Sequence, residues 1–500
     1  MTGAAGTGGD RPADVAIIGA GVVGTAIARA LACQDVSCVL IDAANDVGTG
    51  TSKANTAILH TGFDAVPGSL ESRLLRRGSV LLADYARRAG IPVERTGALL
   101  VAWTPEQQAE LPAIEDKAHR NGVTDVRPIG TGELYRREPH LGPGALGALE
   151  IPGESIICPW TTPLAYATQA LAAGARLRLR SQVTGIRAGT AEHQVVTGTG
   201  VVRCRWVVNA AGLHSDTVDA MMGGGQFAIC PRRGELVVFD KLARPLLSSI
   251  LLPVPTARTK GVLVAPTVYG NVLLGPTAED IPDRGDVATT GPGLASLMEA
   301  GRRILPGLVA EEVTASYAGL RAATADRDYQ IRVDPARRYA CVAGIRSTGL
   351  SASLGIAEYV SVLLADAGLR LAGRAEPDPP VMPYIGQAGT RPYQDAARIA
   401  ADPEYGRIVC HCERVTRGEI RDALAGPLPP ADIDGLRRRT RVLNGRCQGF
   451  YCAAAVAALF AGAGAAASAA TPASQPPTHE PTAAGSRRHA PRGWRFAVHR

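Results

Sequence analysis

The chain has 500 residues, 46% apolar and 20% charged, enough for roughly two to four domains and incompatible with wholesale disorder. Residues 401–500 hold 14 Arg against 8 acidic residues and so carry +6 of the net +7, whereas the first 400 residues hold 39 basic and 38 acidic side chains. No broad basic face is implied, which excludes nucleic acid as a partner. Ten cysteines are too few for a disulfide scaffold at this length, and six of them read as buried small apolar residues.

Residues 1–12 read as a flexible N-terminus, with neither the basic start nor the apolar core of a signal peptide. Asp14 to Ile18 is a short apolar run, as expected of a buried parallel strand. It enters Gly19-Ala20-Gly21-Val22-Val23-Gly24, then a helical stretch to Cys33 and a second strand, Ser37 to Ile41, ending at Asp42. Gly19 permits a tight turn, Gly21 close approach of backbone to a pyrophosphate, and Gly24 helix-on-strand packing. Asp42 ends the second strand where a carboxylate can accept from a ribose hydroxyl. Strand, glycines, helix, strand and acid in this order predict a dinucleotide site.

Gly68 to Gly90 is predicted to be a packing helix, with Leu74, Leu81, Leu82 and Tyr85 on its apolar face. Two later segments read as returns to the nucleotide-binding sheet. One is Trp206 to Gly212; the other is Tyr339 to Gly344, followed by a turn through Ser351 and a helix from Ala352 to Leu364. Between them lie segments at 234–239, 261–265 and 271–274 that suggest an inserted antiparallel sheet. Residues 373–405 read as a Pro-rich linker, 406–462 as a compact cysteine-bearing unit, and 463–500 as a disordered tail rich in Ala, Pro, Ser and Arg. The uncharged stretch Cys452 to Ala470 reads as a short helix running into that tail, not a membrane span. The expected location is cytoplasmic, with peripheral attachment at the cytoplasmic membrane face left open.

Thr51-Ser52-Lys53-Ala54-Asn55, continuing to His60 and Asp64, joins the glycine fingerprint, Asn209 to Gly212 and Gly344 to Ile356 in a pattern that resembles the FAD-dependent D-amino-acid oxidase superfamily. Within it the chain looks most like the flavin subunit of anaerobic glycerol-3-phosphate dehydrogenase, and the L-2-hydroxyglutarate dehydrogenases share much of the pattern. The resemblance implies an α/β fold over 13–372. That fold is a discontinuous Rossmann-like FAD-binding domain with an inserted antiparallel substrate-binding sheet, followed by a small C-terminal iron–sulfur domain. It places Thr51, Ser52, Lys53, Asn55, Gly212 and Gly344 at the cofactor. Gly349, Leu350 and Ser351 open a helix whose N–H dipoles would face the flavin where negative charge develops. His60 becomes the candidate base for a substrate hydroxyl, and Arg321, Arg346 and Lys260 become candidates to hold a small anionic substrate, phosphate or carboxylate.

Cys410, Cys412, Cys447 and Cys452 form a C-x-C pair and a C-x4-C pair separated by 34 residues. Four thiolates fit structural zinc or a [2Fe–2S] cluster, and the one-residue spacer tilts toward iron. Residues 408–452 resemble the bacterioferritin-associated ferredoxin-like [2Fe–2S] domain, which implies electrons leaving singly for a quinone, a partner subunit or a soluble carrier. Arg437, Arg438, Arg439 and Arg441 read either as a basic docking face for an acidic acceptor or as a solvated face. Oxidation of sn-glycerol 3-phosphate to dihydroxyacetone phosphate is the expected activity. The alternatives are an L-2-hydroxy acid dehydrogenase and, from another class, a non-catalytic flavin/iron–sulfur relay.

Overall fold

A computed structural model describes residues 11–255, 261–373 and 376–469. Strand β1 (Ala13–Ile18), helix α1 (Val22–Ala32) and strand β2 (Cys38–Ile41) build the predicted unit, with β1 and β2 paired in parallel. Every residue of β2 is buried, and β1 is buried at all but one position, which is why both read as continuous apolar runs. Strand Gly200–Asn209 pairs in parallel with β1, and strand Tyr339–Ala343 pairs in parallel with Gly200–Asn209. Both predicted returns therefore join the same sheet.

The helix predicted at 68–90 runs from Leu70 to Arg88 (α2) and starts where the Ser69 hydroxyl accepts from the Ser72 N–H. Helix Gly349–Asp366 packs against both α1 and α2. Gly78 on α2 and Gly355 allow this contact, since a Cβ at Gly78 would lie 2.5 Å from the Ser351 carbonyl oxygen. Helix Gly349–Asp366 is long and apolar enough to cross a membrane, yet just over half of it is buried inside the fold, as befits a core helix.

The second sheet contains the expected strands, Cys230–Phe239, Leu263–Pro266 and Val272–Gly275, joined antiparallel, with the long strand Val313–Ala323 on the other side of Cys230–Phe239. It is larger than the sequence reading. Strands Ala98–Ala102 and Gly147–Ile151 extend it from an earlier excursion of the chain, and Ile250–Pro253 pairs with Ala98–Ala102 in parallel. The insertion thus comes from two separate stretches, and one pairing departs from the antiparallel expectation.

In its described part, the Pro-rich segment 373–405 is packed against the body. The Met382 N–H donates to the Ala89 carbonyl, the Gln387 N–H donates to the Val268 carbonyl, and the Arg391 side chain is buried against Glu419. The C-terminal unit has its own small core of Val415, Ile420, Leu436, Val442 and Val456. Its last helix runs from Ala453 to Ala469, so regular structure continues past the expected tail boundary at 463. The rest of that tail, from 470, and residues 1–10 lie outside the described residues, as does Lys260.

Candidate active site

The glycine fingerprint is required by contact. Gly19 adopts φ +108°, and a Cβ there would come within 2.3 Å of the Ala210 carbonyl oxygen; one at Gly24 would meet the Gly19 carbonyl oxygen at 1.8 Å. Strand β1, helix α1 and the strand ending at Asn209 can close on each other only with hydrogen at these positions. Asp42 accepts the Ala20 N–H at 2.6 Å and the Ala44 N–H at 2.8 Å, so it shapes the glycine turn as well as lining the adjoining cavity.

Thr51–Lys53 forms a single 3-10 turn at the seam between the two sheets. The Ser52 hydroxyl accepts the Val22 N–H at the start of α1, Thr51 donates to the Leu320 carbonyl, and Asn55 bridges the Ser52 carbonyl and the Ala57 N–H. Gly319 lets the inserted sheet press against this loop, because a Cβ would stand 2.1 Å from the Ala54 carbonyl oxygen. Ala57 holds φ +56°, a strained left-handed conformation for a residue with a Cβ.

A cavity of about 150 Å³ opens at this seam, bounded by Gly21, Ser52, Gly212, Gly344, Gly349 and Leu350, with Arg321 and Arg346 on its substrate side. The first N–H groups of helix Gly349–Asp366 have no intrahelical partner and present their positive dipole end here. Ser351 is not part of this wall. Its buried hydroxyl donates to the Ile58 carbonyl and accepts the His60 N–H at 2.9 Å, tying the helix to strand β3 (Ile58–Leu59). Its side chain is therefore a latch between the helix and that strand.

Arg321 lies beside Arg232 on the neighbouring strand, and its guanidinium rests over Gly234, where a Cβ would come within 2.9 Å of Nη2. Arg232 is committed to Asp280 in a bidentate pair, whereas Arg321 has no carboxylate partner among the described residues. Burial, then repulsion from Arg232, push its pKa down to about 10. Arg346 donates to the Asp326 carbonyl and keeps a buried Nε without a partner. A cation partly withdrawn from water without a counter-charge is a site suited to an anion.

His60 is not in the wall of the smaller cavity, although Ala57 and Ile58 are. Its Nδ1 lies 3.0 Å from Oε2 of Glu154, a carboxylate with no solvent exposure whose other oxygen accepts from the N–H and hydroxyl of Thr61. Sequence reasoning missed Glu154, because nothing in Pro152-Gly153-Glu154-Ser155 distinguishes it from a turn acid.

A second cavity of about 880 Å³ starts at Gly19, Asp42 and Lys53 and ends at Arg438, Asn444 and Gln448 of the C-terminal unit. The arginines expected on an exposed face mostly turn inward. Arg439 grips Asp46 with two nitrogens at 2.6 and 2.9 Å, and Arg438 joins at 2.9 Å. Arg441 binds Glu413 at 3.0 Å and the Asn271 side-chain oxygen at 3.1 Å, while Lys241 reaches Glu413 at 3.1 Å. Arg437 alone of the four stays substantially exposed, paired with Asp434. Arg438, Arg439 and Arg441 form neither a partner-docking face nor a solvated one; they fasten the unit to the body of the chain.

The thiols of the C-terminal unit stand in two interacting pairs, Cys412 with Cys447 and Cys410 with Cys452. Backbone N–H groups, that of Tyr451 above all and then those of Gly449 and Phe450, bring the Cys447 pKa below the usual thiol value. A Cβ at Gly445 would meet that of Cys412 at 2.2 Å, and Arg441, Leu443 and Gln448 hold positive φ. An all-sulfur donor set of four cysteines, carried on loops with several left-handed residues, fits an iron–sulfur cluster. The dinucleotide turn, the glycines that admit a ligand and the unpaired N–H groups fit FAD.

Fold and site together define a flavin-dependent oxidoreductase with an attached iron–sulfur module. The chain belongs to the FAD dependent oxidoreductase family, which matches residues 14–363, and residues 408–462 match the BFD-like [2Fe-2S] binding domain. FAD and a [2Fe–2S] cluster are its cofactors. It is 33% identical over 452 residues to the glycerol 3-phosphate dehydrogenase of Caloramator mitchellensis, covering 90% of this chain and 94% of that one. The structure of dithionite-reduced L-alpha-glycerophosphate oxidase from Mycoplasma pneumoniae with FAD bound superimposes with a TM-score of 0.70 at 27% identity, over 74% of this chain and 98% of the other. Human mitochondrial L-2-hydroxyglutarate dehydrogenase is 29% identical, over 53% of this chain and 60% of its own.

Proposed function

We propose that the protein oxidises sn-glycerol 3-phosphate to dihydroxyacetone phosphate and delivers the electrons to a carrier. The observation that carries this reading is Arg321, half-buried in the wall of the smaller cavity and without a carboxylate partner among the described residues. The similarity to a glycerol 3-phosphate dehydrogenase over 90% of the chain supports a phosphate as the anion it holds.

Arg321 fixes the phosphate end of the substrate, with Arg346 beside it, and the C2 hydroxyl is thereby directed to the helix opening at Gly349 and Leu350. His60, two residues beyond the cavity-lining Ile58, is the proposed base for the hydroxyl proton and would have to turn toward the cavity to reach it; Glu154 holds its Nδ1 and would compensate the charge that the imidazole gains. The N–H groups of Gly349 and Leu350 would face the flavin where negative charge develops on it. When bound, FAD supplies hydride acceptance and the [2Fe–2S] centre supplies one-electron exit. Lys260 is a further proposed contact for the phosphate. The acceptor is a quinone, a partner subunit or a soluble carrier, and the proposed location is cytoplasmic.

Steady-state turnover with an artificial acceptor tests the anion assignment. Arg321→Ala should raise KM for sn-glycerol 3-phosphate by at least tenfold, and Arg321→Lys should recover part of the loss. An unchanged kcat/KM in Arg321→Ala would remove the arginine from the substrate site.

A further inference from the structure

The larger cavity joins parts of the chain that are almost 400 residues apart. One end is the glycine turn, with Asp42 and Lys53; the other is helix Ile433–Thr440 of the C-terminal unit, through Arg437 and Arg438. The two ends are fastened together beside the dinucleotide site itself. Asp46, four residues beyond Asp42, is the carboxylate that Arg438 and Arg439 hold. Gly435 makes room for it, since a Cβ there would come within 2.8 Å of Asp46 Oδ2. Asn45 adds a hydrogen bond to Asp432, at the start of the same helix.

Charge at this seam is unbalanced. The cavity wall carries Lys53, Arg284, Arg437, Arg438 and Arg441 against Asp42 and Asp434, so five cations meet two carboxylates there. Lys53 registers the excess: burial first, and then Arg438, bring its pKa below the usual lysine value, against the opposing pull of Asp434 and Asp432. A cationic wall on a cavity that begins at a dinucleotide turn suits the negative charge of a pyrophosphate.

We infer that the C-terminal iron–sulfur unit is a wall of the FAD site, with helix 433–440 closing the cavity and Arg438 contributing charge toward the dinucleotide's phosphates. FAD binding and docking of this unit are then linked, and each strengthens the other by the same factor. The proposal concerns cofactor retention and does not depend on which substrate is oxidised, so its failure would leave the glycerol 3-phosphate reading intact, and the reverse also holds.

The test uses the full chain, freed of FAD and titrated with FAD while flavin fluorescence is followed. Arg438→Gln leaves Asp46 held by both nitrogens of Arg439, so the unit should stay folded with its cluster absorbance unchanged. FAD should bind this variant about tenfold more weakly, the size of one partly screened charge contact. Arg438→Lys should restore most of the affinity. Hydrogen exchange on the unsubstituted chain supplies the reciprocal measurement: saturating FAD should slow exchange of the amides in 433–440. Unchanged FAD affinity in Arg438→Gln would overturn the proposal. Exchange in 433–440 indifferent to FAD would also overturn it, and that comparison stands even if the variant does not fold.

Discussion

Glu154 Oε2 lies 3.0 Å from His60 Nδ1, and the carboxylate is closed off from solvent on all sides. A buried carboxylate on one ring nitrogen fixes the tautomer and the plane of the imidazole and leaves proton exchange to the other nitrogen. The same carboxylate holds the Thr61 backbone, so ring orientation is tied to the loop that runs from β3.

Glu154→Gln preserves shape and removes charge. It should lower kcat by about ten- to a hundredfold with little change in KM. Thermal unfolding of the variant close to that of the parent would separate this loss from a folding defect, and a parent-like kcat would remove Glu154 from proton transfer.

Arg321 sets an alkaline limit. Its pKa in the free enzyme is pushed down to about 10, by burial first and Arg232 second, so it stays charged at neutral pH and loses its proton as pH passes that value. On the alkaline side of the limb set by the base, the profile of kcat/KM for a phosphate substrate should therefore fall as pH approaches 10. Because kcat/KM reports free-enzyme ionisations, steady-state rates across this range decide the point.

Cys447→Ser should abolish the visible absorbance of the cluster while leaving flavin reduction by substrate intact, since the cysteine loops have a core of their own. Anaerobic reduction monitored at flavin and cluster wavelengths reads both at once. Loss of both signals would mean that the two sites are not separable in this way.

Docking of the C-terminal unit should be sensitive to acid. At Asp46, burial opposes ionisation, but hydrogen bonding and attraction from Arg439, then Arg438, outweigh it; at Glu413, Arg441 and Lys241 do the same. Both carboxyls are depressed relative to the unfolded chain. Their contribution to stability is therefore complete above the ordinary carboxylate range and is lost as pH falls through the lowered folded values. The contact should hold through pH 5–8 and open only below about pH 4, which limited proteolysis of the 433–440 segment would detect. Asp46→Asn leaves Arg439 buried without its counter-charge and should destabilise the contact by about 3 kcal/mol at neutral pH.

Gly19, Gly21 and Gly24 were legible because their six-residue spacing between a strand and a helix is a local pattern, although Gly19 also answers to Ala210 on a distant strand. The paired cysteines carried their chemistry in their spacing for the same reason. Asp46 with Arg439, Glu154 with His60 and Glu413 with Lys241 were not legible. Each pair spans 94 to 393 residues and leaves no periodic trace at either end. The inward turn of Arg438, Arg439 and Arg441 belongs to this group, since an arginine run looks the same on a solvated face as on a buried contact. Strands Ala98–Ala102 and Gly147–Ile151 were missed because they join the inserted sheet from the other side of the strand Gly200–Asn209 that returns to the first sheet.

The most direct test of the account is anaerobic stopped-flow mixing of the cluster-loaded protein with sn-glycerol 3-phosphate and, separately, with L-2-hydroxyglutarate. Rapid bleaching of the flavin by the phosphate substrate alone is the predicted result. Bleaching by L-2-hydroxyglutarate alone, or by neither while dithionite still reduces the flavin, would contradict it.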